Sequence, residues 1–305
     1  MMIPRPTVLV ATATGAVGSC AVQRARDAGY AVRAFVRNPR RRIVREFQQR
    51  GIEIVRGDFL DHDSLRRAVQ GIEYVMSAAG ALKPEGHATP GRVVYEGNAA
   101  LIDAALQSGV RQFVLVSTMG AARLRDSSIF EAQNAAELTL AASGLNYTIL
   151  RSSESMLTIA RQAERFRRNG VYWVMGSGEH RISPISPNDL ALIAVRALGN
   201  ENAARRIFRV GGPETLCWRD IPAILSRIYE RPARVRHVPG WLISSVRTTI
   251  RPFLSSLNEQ LGLFSAYAHQ DFVADAEEVR AIETSFGIQL EHLEDYLRRG
   301  DDTRR

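Results

Sequence analysis

Gly15 and Gly18 stand three residues apart behind Thr12, in the run Val8-Leu9-Val10-Ala11-Thr12-Ala13-Thr14-Gly15-Ala16-Val17-Gly18. Small residues at that spacing suit the binding of a diphosphate. The N–H groups and positive dipole end of a helix opening at Gly15 would face the anion, and glycine lets the backbone approach it closely. Thr12, Thr14, Gly15, Ala16, Val17 and Gly18 are therefore the expected cradle. Against the pattern T-G-x-x-G-x-x-G the first glycine is replaced by Thr12, which weakens the cradle without removing it. An NAD-selective site would need an acid for the ribose 2′-hydroxyl after the next strand, and residues 30–45 contain none. Arg37 occupies that end with Arg40, Arg41 and Arg42 behind it, and a guanidinium suits a 2′-phosphate. The cofactor these residues imply is NADP, with NADPH preferred and Arg37 and Arg41 as the contacts.

Such residues need a strand, a tight turn and a helix to hold them, and the pattern supplies these repeatedly. Thr7–Thr12 reads as a buried β-branched strand. Val17, Ala21, Ala25 and Ala28 mark one face of a helix closed by Gly29. Further strands are expected at Ala31–Val36, Ile52–Val55, Ile72–Ala79, Gln112–Ser117 and Tyr147–Leu150. Helices are expected near 15–29, 40–50, 62–70, 92–108 and 128–143. This alternation predicts an α/β fold, a doubly wound parallel Rossmann sheet with right-handed crossovers. Later come strands at Val171–Val174, Ile182–Ile185 and Ile207–Val210, and a helix opened by Ser186 as N-cap with Pro187 in its first turn. Beyond about residue 213 the pattern is mostly helical. The expected division is an NADP-binding domain over 5–152 and a smaller substrate lobe over 153–305, intertwined with it.

The whole chain narrows the classes. Its 305 residues are 45% hydrophobic, enough for a packed core. Met1–Pro6 lacks the apolar region of a signal peptide, and no run of 18 apolar residues could span a membrane. Cys20 and Cys217 lie far apart in helical patterns and read as small apolar residues of a reduced, cytoplasmic protein. The six histidines show no metal-ligand spacing, so no metal is expected. The formal charge of +8 comes almost wholly from scattered arginines without interleaved aromatics. That favours a phosphorylated cofactor and a solvated basic surface over nucleic-acid binding. Expected partners are an apolar small-molecule substrate and, at most, a second copy of the chain.

Several later blocks resemble the NmrA-like, atypical branch of the short-chain dehydrogenase/reductases. They include Val55-Arg56-Gly57-Asp58, Tyr95-Glu96-Gly97-Asn98, Phe113-Val114-Leu115-Val116-Ser117, Ser143-Gly144-Leu145-Asn146-Tyr147-Thr148-Ile149-Leu150-Arg151, Asn188-Asp189-Leu190-Ala191 and Gly211-Gly212-Pro213-Glu214. The resemblance covers roughly residues 5–240. It implies that Asp58, with Phe59 beside it, meets the adenine, and that Ala78, Ala79 and Gly80 lie against the cofactor ribose. Asp58 also reads as an ordinary turn residue capping the next helix. Asn98 resembles a helical position near the active site, and reads equally as a buried side chain bridging two backbone segments.

The resemblance brings a catalytic difficulty with it. Standard members carry Tyr-x-x-x-Lys on the helix after strand five, where lysine lowers the tyrosine pKa and holds the ribose. The register set by Glu137 and Ser143-Gly144-Leu145 puts Ile129 at the tyrosine position and Gln133 at the lysine position. The only lysine is Lys83, in the loop after strand four, so a lysine-assisted tyrosinate on that helix is ruled out. Gln133 can hydrogen-bond the ribose but supplies no charge. Ser117 and Thr118 are the hydroxyls left near the nicotinamide, although the family's usual hydroxyl falls at Met119 or Gly120. Arg151-Ser152 replaces the usual Arg-Pro and puts Arg151 at the cofactor edge. Glu154 is either a proton source, if desolvated, or a first-turn acid favouring the next helix.

Two functions fit. One is an NADPH-dependent reductase of an apolar, cyclic or quinone-/enone-like molecule, with Met156, Tyr172, Trp173, Met175, Trp218 and Trp241 as pocket lining. The other is a non-catalytic NADP(H)-binding redox sensor or assembly factor. Finally, Leu242, Val246, Ile250, Phe253, Leu257, Leu261 and Phe264 recur at helical spacing beside Arg247 and Arg251, with Pro252 as a kink. This segment is expected to be a lid or subunit contact that buries its stripe on protein, in preference to a membrane-surface helix.

Overall fold

The computed structural model of the chain describes residues 5–80, 89–125, 127–250 and 255–302. The elements run β1 (Thr7–Val10), α1 (Ala16–Asp27), β2 (Ala31–Val36), α2 (Arg42–Gln49), β3 (Glu53–Arg56), α3 (His62–Val69), β4 (Tyr74–Ser77), α4 (Pro90–Gln107), β5 (Gln112–Thr118), α5 (Ser128–Ala142) and β6 (Tyr147–Ser152). There follow α6 (Met156–Asn169), β7 (Val171–Met175), β8 (Arg181–Ile182), α7 (Pro187–Ala197), β9 (Arg206–Val210), β10 (Leu216–Cys217), α8 (Ile221–Tyr229), β11 (Arg234–Val238), α9 (Gly240–Ile250), α10 (Ser255–His269), α11 (Ala276–Phe286) and α12 (Leu293–Asp302). Seven strands form one sheet in the order β3-β2-β1-β4-β5-β6-β9, the doubly wound Rossmann arrangement. The pairs β1–β2, β2–β3, β1–β4 and β4–β5 are parallel. The order reverses between β1 and β4, and ligands of such sheets bind outside the carboxyl ends of the strands at that reversal.

The central strands are apolar because helices cover both faces of the sheet. Leu9, Phe35, Leu65, Val75, Leu101, Phe113, Leu115, Leu140 and Ile149 form one buried cluster. A polar anchor sits within it. Gln112 Nε2 donates to Thr148 Oγ1 and the Ala197 carbonyl, and its Oε1 accepts from the Gly199 amide, so none of its groups is buried unpaired.

Local signals set the element ends within a residue or two. Strand β1 stops at Val10, so Thr12 belongs to the turn and not to the strand. Helix α1 ends at Asp27 with Ala28 as its C-cap, and Gly29 follows in the left-handed region with φ 89°. Ser186 caps α7 as expected, its Oγ accepting from the Asp189 amide at 3.0 Å. The strand expected over Ile182–Ile185 shortens to β8, because the Ser183 and Gly212 backbones bond side chains and loops there instead of a continuous ladder.

The chain divides into two compact units. One comprises 1–122, 129–151 and 190–208, the other 123–128, 152–189 and 209–305. The second unit is built from α6, α8–α12 and two small sheets, β7–β11 parallel and β8–β10 antiparallel. Phe166, Tyr172 and Phe272 are buried in it, and α12 packs on α6 and α8. An Asp275/Glu278 capping box starts α11. No helix among the described residues is long and apolar enough to cross a membrane.

Candidate functional site

The turn after β1 is as tight as the glycine spacing requires. A Cβ placed on Gly18 would lie 1.9 Å from the Thr12 carbonyl oxygen, so only glycine lets the first turn of α1 pass that close. The Gly15 amide donates to the Thr12 carbonyl at 3.0 Å, and Thr12 Oγ1 accepts from the Ala78 amide at 3.2 Å. Thr12 thereby ties the β1 turn to the end of β4. Helix α1 has no side-chain cap and no acid in its first turn, which leaves its N-terminal amides for an anion. Gly15 and Ala16 are exposed there, Thr14 and Val17 partly so.

Arg37 is exposed immediately past β2, and Arg41 is the residue before α2. Arg41 Nη1 donates to the Thr14 carbonyl at 3.2 Å, so one of the two basic residues is tethered to the glycine turn. At the end of β3, the helix cap is Asp61 and not Asp58, with Asp61 accepting from the Asp63 and Ser64 amides. Asp58 Oδ1 holds the turn through the Leu60 amide at 2.8 Å. Phe59 stacks edge-on to Phe35 and lies over Gly97, where a Cβ would come within 2.3 Å of its ring. Asn98, fully buried one residue on, accepts from the Ser77 hydroxyl at the end of β4 and donates to the Val94 carbonyl of its own helix, so it ties α4 to β4 through one side chain instead of bridging two backbone segments.

Beside Ala78, Ala79 and Gly80 stands Gln133 on α5. Its Nε2 donates to the Ala79 carbonyl at 2.9 Å, while its Oε1, on a side chain only 4% exposed, has no hydrogen-bond partner. An orphaned buried acceptor is costly, and a ligand hydroxyl would satisfy it. The glycine cradle, the uncapped helix end and this oxygen together fit a dinucleotide. Ile129 and Phe130, at and beside the tyrosine position, are buried and apolar.

The candidate hydroxyls differ in their commitments. Ser117 is buried and its Oγ donates to the Glu137 carboxylate. Glu137 is also held by Arg151, whose Nη2 reaches Oε2 at 2.6 Å, so the partly buried Arg151 of β6 pairs with a buried carboxylate of α5. Thr118 is partly buried, with only a 3.3 Å bond to the Met119 carbonyl. In the second unit Glu154 is 5% exposed. Burial pushes its carboxyl above the usual range, against hydrogen bonds from Tyr267, Thr158 and the Ser155 amide that pull it back. Ser155 is the cap of α6, so Glu154 precedes that helix instead of standing in its first turn.

Of the expected pocket residues, Trp173, Met175 and Trp218 line a cavity with Glu154. Met156 and Tyr172 are packed in the core, and Trp241 is 70% exposed. Sequence reasoning did not single out Tyr267 or Phe264 for this cavity, since aromatic spacing on a helix is equally that of core packing. Of the expected stripe, Leu242, Val246 and Leu257 are exposed on the single chain, so within it they do not close a lid. Lys83, Arg251, Pro252 and Phe253 lie outside the described residues.

Residues 12–201 match the model of a family described as NAD(P)H-binding. The chain is 32% identical over 229 residues to (4-alkanoyl-5-oxo-2,5-dihydrofuran-3-yl)methyl phosphate reductase of Streptomyces griseus, spanning 74% of this chain and 75% of that one. It is 29% identical over 252 residues to the photosystem II assembly factor Ycf39 of Synechocystis sp., spanning 82% and 76%. The crystal structure of an NADPH-dependent quinone oxidoreductase from Escherichia coli, complexed with NADPH, is similar with a TM-score of 0.79 and 18% identity, over 97% of this chain and 99% of that one. That last likeness is one of fold.

Proposed function

The chain belongs to the NAD(P)H-binding family, and from that membership and its resemblance to the NmrA-like, atypical short-chain dehydrogenase/reductases we propose an NADPH-dependent reductase of an apolar, cyclic, quinone- or enone-like molecule. The observation that carries the reading is Gln133 Oε1, buried without a partner next to the Ala79 carbonyl. A ribose hydroxyl is the donor it lacks, and an amide orients the sugar there without the charge a lysine would bring. Arg37 and the tethered Arg41 supply the contacts for a 2′-phosphate, and residues 30–45 contain no acid. When bound, the dinucleotide supplies a hydride.

Proton delivery falls to few groups. Ser117 spends its proton on Glu137, which leaves Thr118 as the less committed hydroxyl at the end of β5. With no lysine on α5 to activate a tyrosine there, the site suits reduction of a conjugated acceptor, whose product water can protonate. It does not suit alcohol oxidation, which needs a strong base. Rapid mixing of NADPH-loaded protein with a panel of quinones and enones tests this. Loss of the nicotinamide absorbance in a single turnover is expected, slowed by Thr118→Val more than cofactor binding is weakened.

A second reading, a non-catalytic NADP(H)-dependent assembly factor or redox sensor, is favoured by Ile129 and Gln133 at the tyrosine and lysine positions and by the likeness to an assembly factor. It prevails if no acceptor oxidises bound NADPH while NADPH and NADP⁺ change capture of a protein partner differently.

A further inference from the structure

The first unit holds a cleft of about 250 Å³ at the amino ends of β1, β2 and β3, walled chiefly by Arg5, Arg26, Tyr30, Arg33, Arg50 and Glu53. Thr7, Ala31 and Glu53, the first residues of those strands, all line it. The glycine turn follows the last residue of β1, so the cleft lies at the other end of the sheet from the dinucleotide cradle. Four arginines face it against a single acid.

One of the four has a structural duty. Arg33 Nη1 donates to the Ala68 and Gln70 carbonyls at 2.9 and 2.7 Å, which closes the end of α3, and its Nε lies 2.8 Å from Glu53 Oε1. That pair takes the carboxylate of the wall. The other three have no such duty among the described residues. Arg5 has neither a hydrogen bond nor an ion pair there, Arg26 meets Asp27 only at 3.8 Å, and Arg50 donates to the neutral amide of Gln23. Nor are Arg26 and Arg50 needed to cap their helices. The Arg24, Ala25 and Arg26 carbonyls of α1 accept from the Ala28, Tyr30 and Gly29 amides, and the Glu46, Phe47 and Gln48 carbonyls of α2 accept from the Arg50, Ile52 and Gly51 amides.

The neutral donors of the wall are already spent. The Tyr30 hydroxyl donates to the Leu198 carbonyl at 3.3 Å, and Thr7 Oγ1 to the Gly71 carbonyl at 3.0 Å. A sugar or polyol would find no free hydroxyl, and the cleft offers guanidinium groups. We propose that it is a second anion site, separate from the cofactor cradle, for a compact molecule carrying two or more phosphate groups. Each phosphate brings about two charges and three acceptor oxygens, which an arginine fork matches in pairs. The negative ends of α1 and α2 point to the same edge and oppose an anion. A single phosphate therefore gains little, whereas linked phosphates engage Arg5, Arg26 and Arg50 together. The volume, below that of sites for drug-sized ligands, suits a short skeleton.

Calorimetry on the full chain in low salt compares pyrophosphate with orthophosphate, each with and without saturating NADP⁺. One pyrophosphate per chain is expected, bound at least about tenfold more tightly than orthophosphate and unchanged within about twofold when NADP⁺ is present. Arg5→Gln and Arg50→Gln should each weaken it about fivefold, and the double variant should abolish measurable binding while NADP⁺ affinity holds. Arg298→Gln removes an exposed arginine that does not line the cleft and should leave binding unchanged. Displacement of pyrophosphate by NADP⁺, equal affinity for the two anions, binding that survives in the double variant, or an equal loss in Arg298→Gln overturns the proposal. Arg5 and Arg50 are exposed, so these variants should keep the native Tm. Should one fail to fold, competition with NADP⁺ and the ranking of anions on the native chain decide it. In a chain that binds no NADP⁺ the variants decide, so failure of the cofactor reading leaves this test standing.

Discussion

Arg37 and Gln133 divide the work of holding a dinucleotide, and their variants should fail differently. Arg37→Ala is expected to weaken NADPH binding tenfold or more, about 1.5–3 kcal/mol for a charge-assisted contact, and to leave NADH nearly unchanged. Gln133→Leu removes a contact to the sugar common to both cofactors. It should weaken both by a similar factor, about fivefold for roughly 1 kcal/mol of neutral hydrogen bond. Titration calorimetry with the two cofactors separates them, and equal losses in Arg37→Ala would sink the 2′-phosphate assignment. Glu154 has a signature in pH instead. Its carboxyl is raised by burial above the ordinary 4.5, so the folded chain holds that proton more tightly than the unfolded one. Stability from this group is present below pH 4.5 and is lost as pH rises through the raised value. The stability difference between native chain and Glu154→Gln should therefore shift towards the variant between acid and neutral pH, measured by urea unfolding across that range. A pH-independent difference would show that the carboxyl is not desolvated. The glycines and the absent acid after β2 were legible in the sequence, because they are local in the chain. The commitment of Ser117 and Arg151 to Glu137 was not, since it joins β5, α5 and β6 across the fold.

At the scale of elements, the β1–α1 turn and α9 sit at opposite extremes of tolerance. Gly18→Ala drives a methyl into the Thr12 carbonyl, and the shift needed to relieve it should cost about 1–3 kcal/mol and loosen the cradle. Thermal unfolding and cofactor titration of the same variant check both effects together. Trp241→Ala, by contrast, removes an exposed ring and should change stability by no more than about 0.5 kcal/mol. A loss of several degrees in Tm would restore the lid reading of α9. Periodicity found α1 and α9 equally well. It could not say which faces are covered, because an apolar stripe records what a helix is able to bury and not what the rest of the chain brings to it. The same limit explains why Met156 and Tyr172, expected around a ligand, are core residues, while Tyr267 on α10 walls the cavity.

For the molecule as a whole, the doubly wound parallel sheet was readable from the alternation of elements, but the return of 190–208 to the first unit is a long-range fact that alternation does not encode. A fragment ending at residue 152 lacks β9, the neighbour of β6, and the part of α7 that follows Leu190. It is expected to leave β6 as a raw sheet edge and to be recovered largely as aggregate, whereas a monomeric, cooperatively unfolding fragment would show that β9 is dispensable. The discontinuity also sets a timetable for biosynthesis. At about 5–20 residues per second, the stretch from residue 152, where β6 ends, to residue 208 takes roughly 3–11 s to add. Until then the nascent chain carries six strands whose last edge has nothing to pair with, and it is in that interval that a ribosome-bound chaperone would find most to protect.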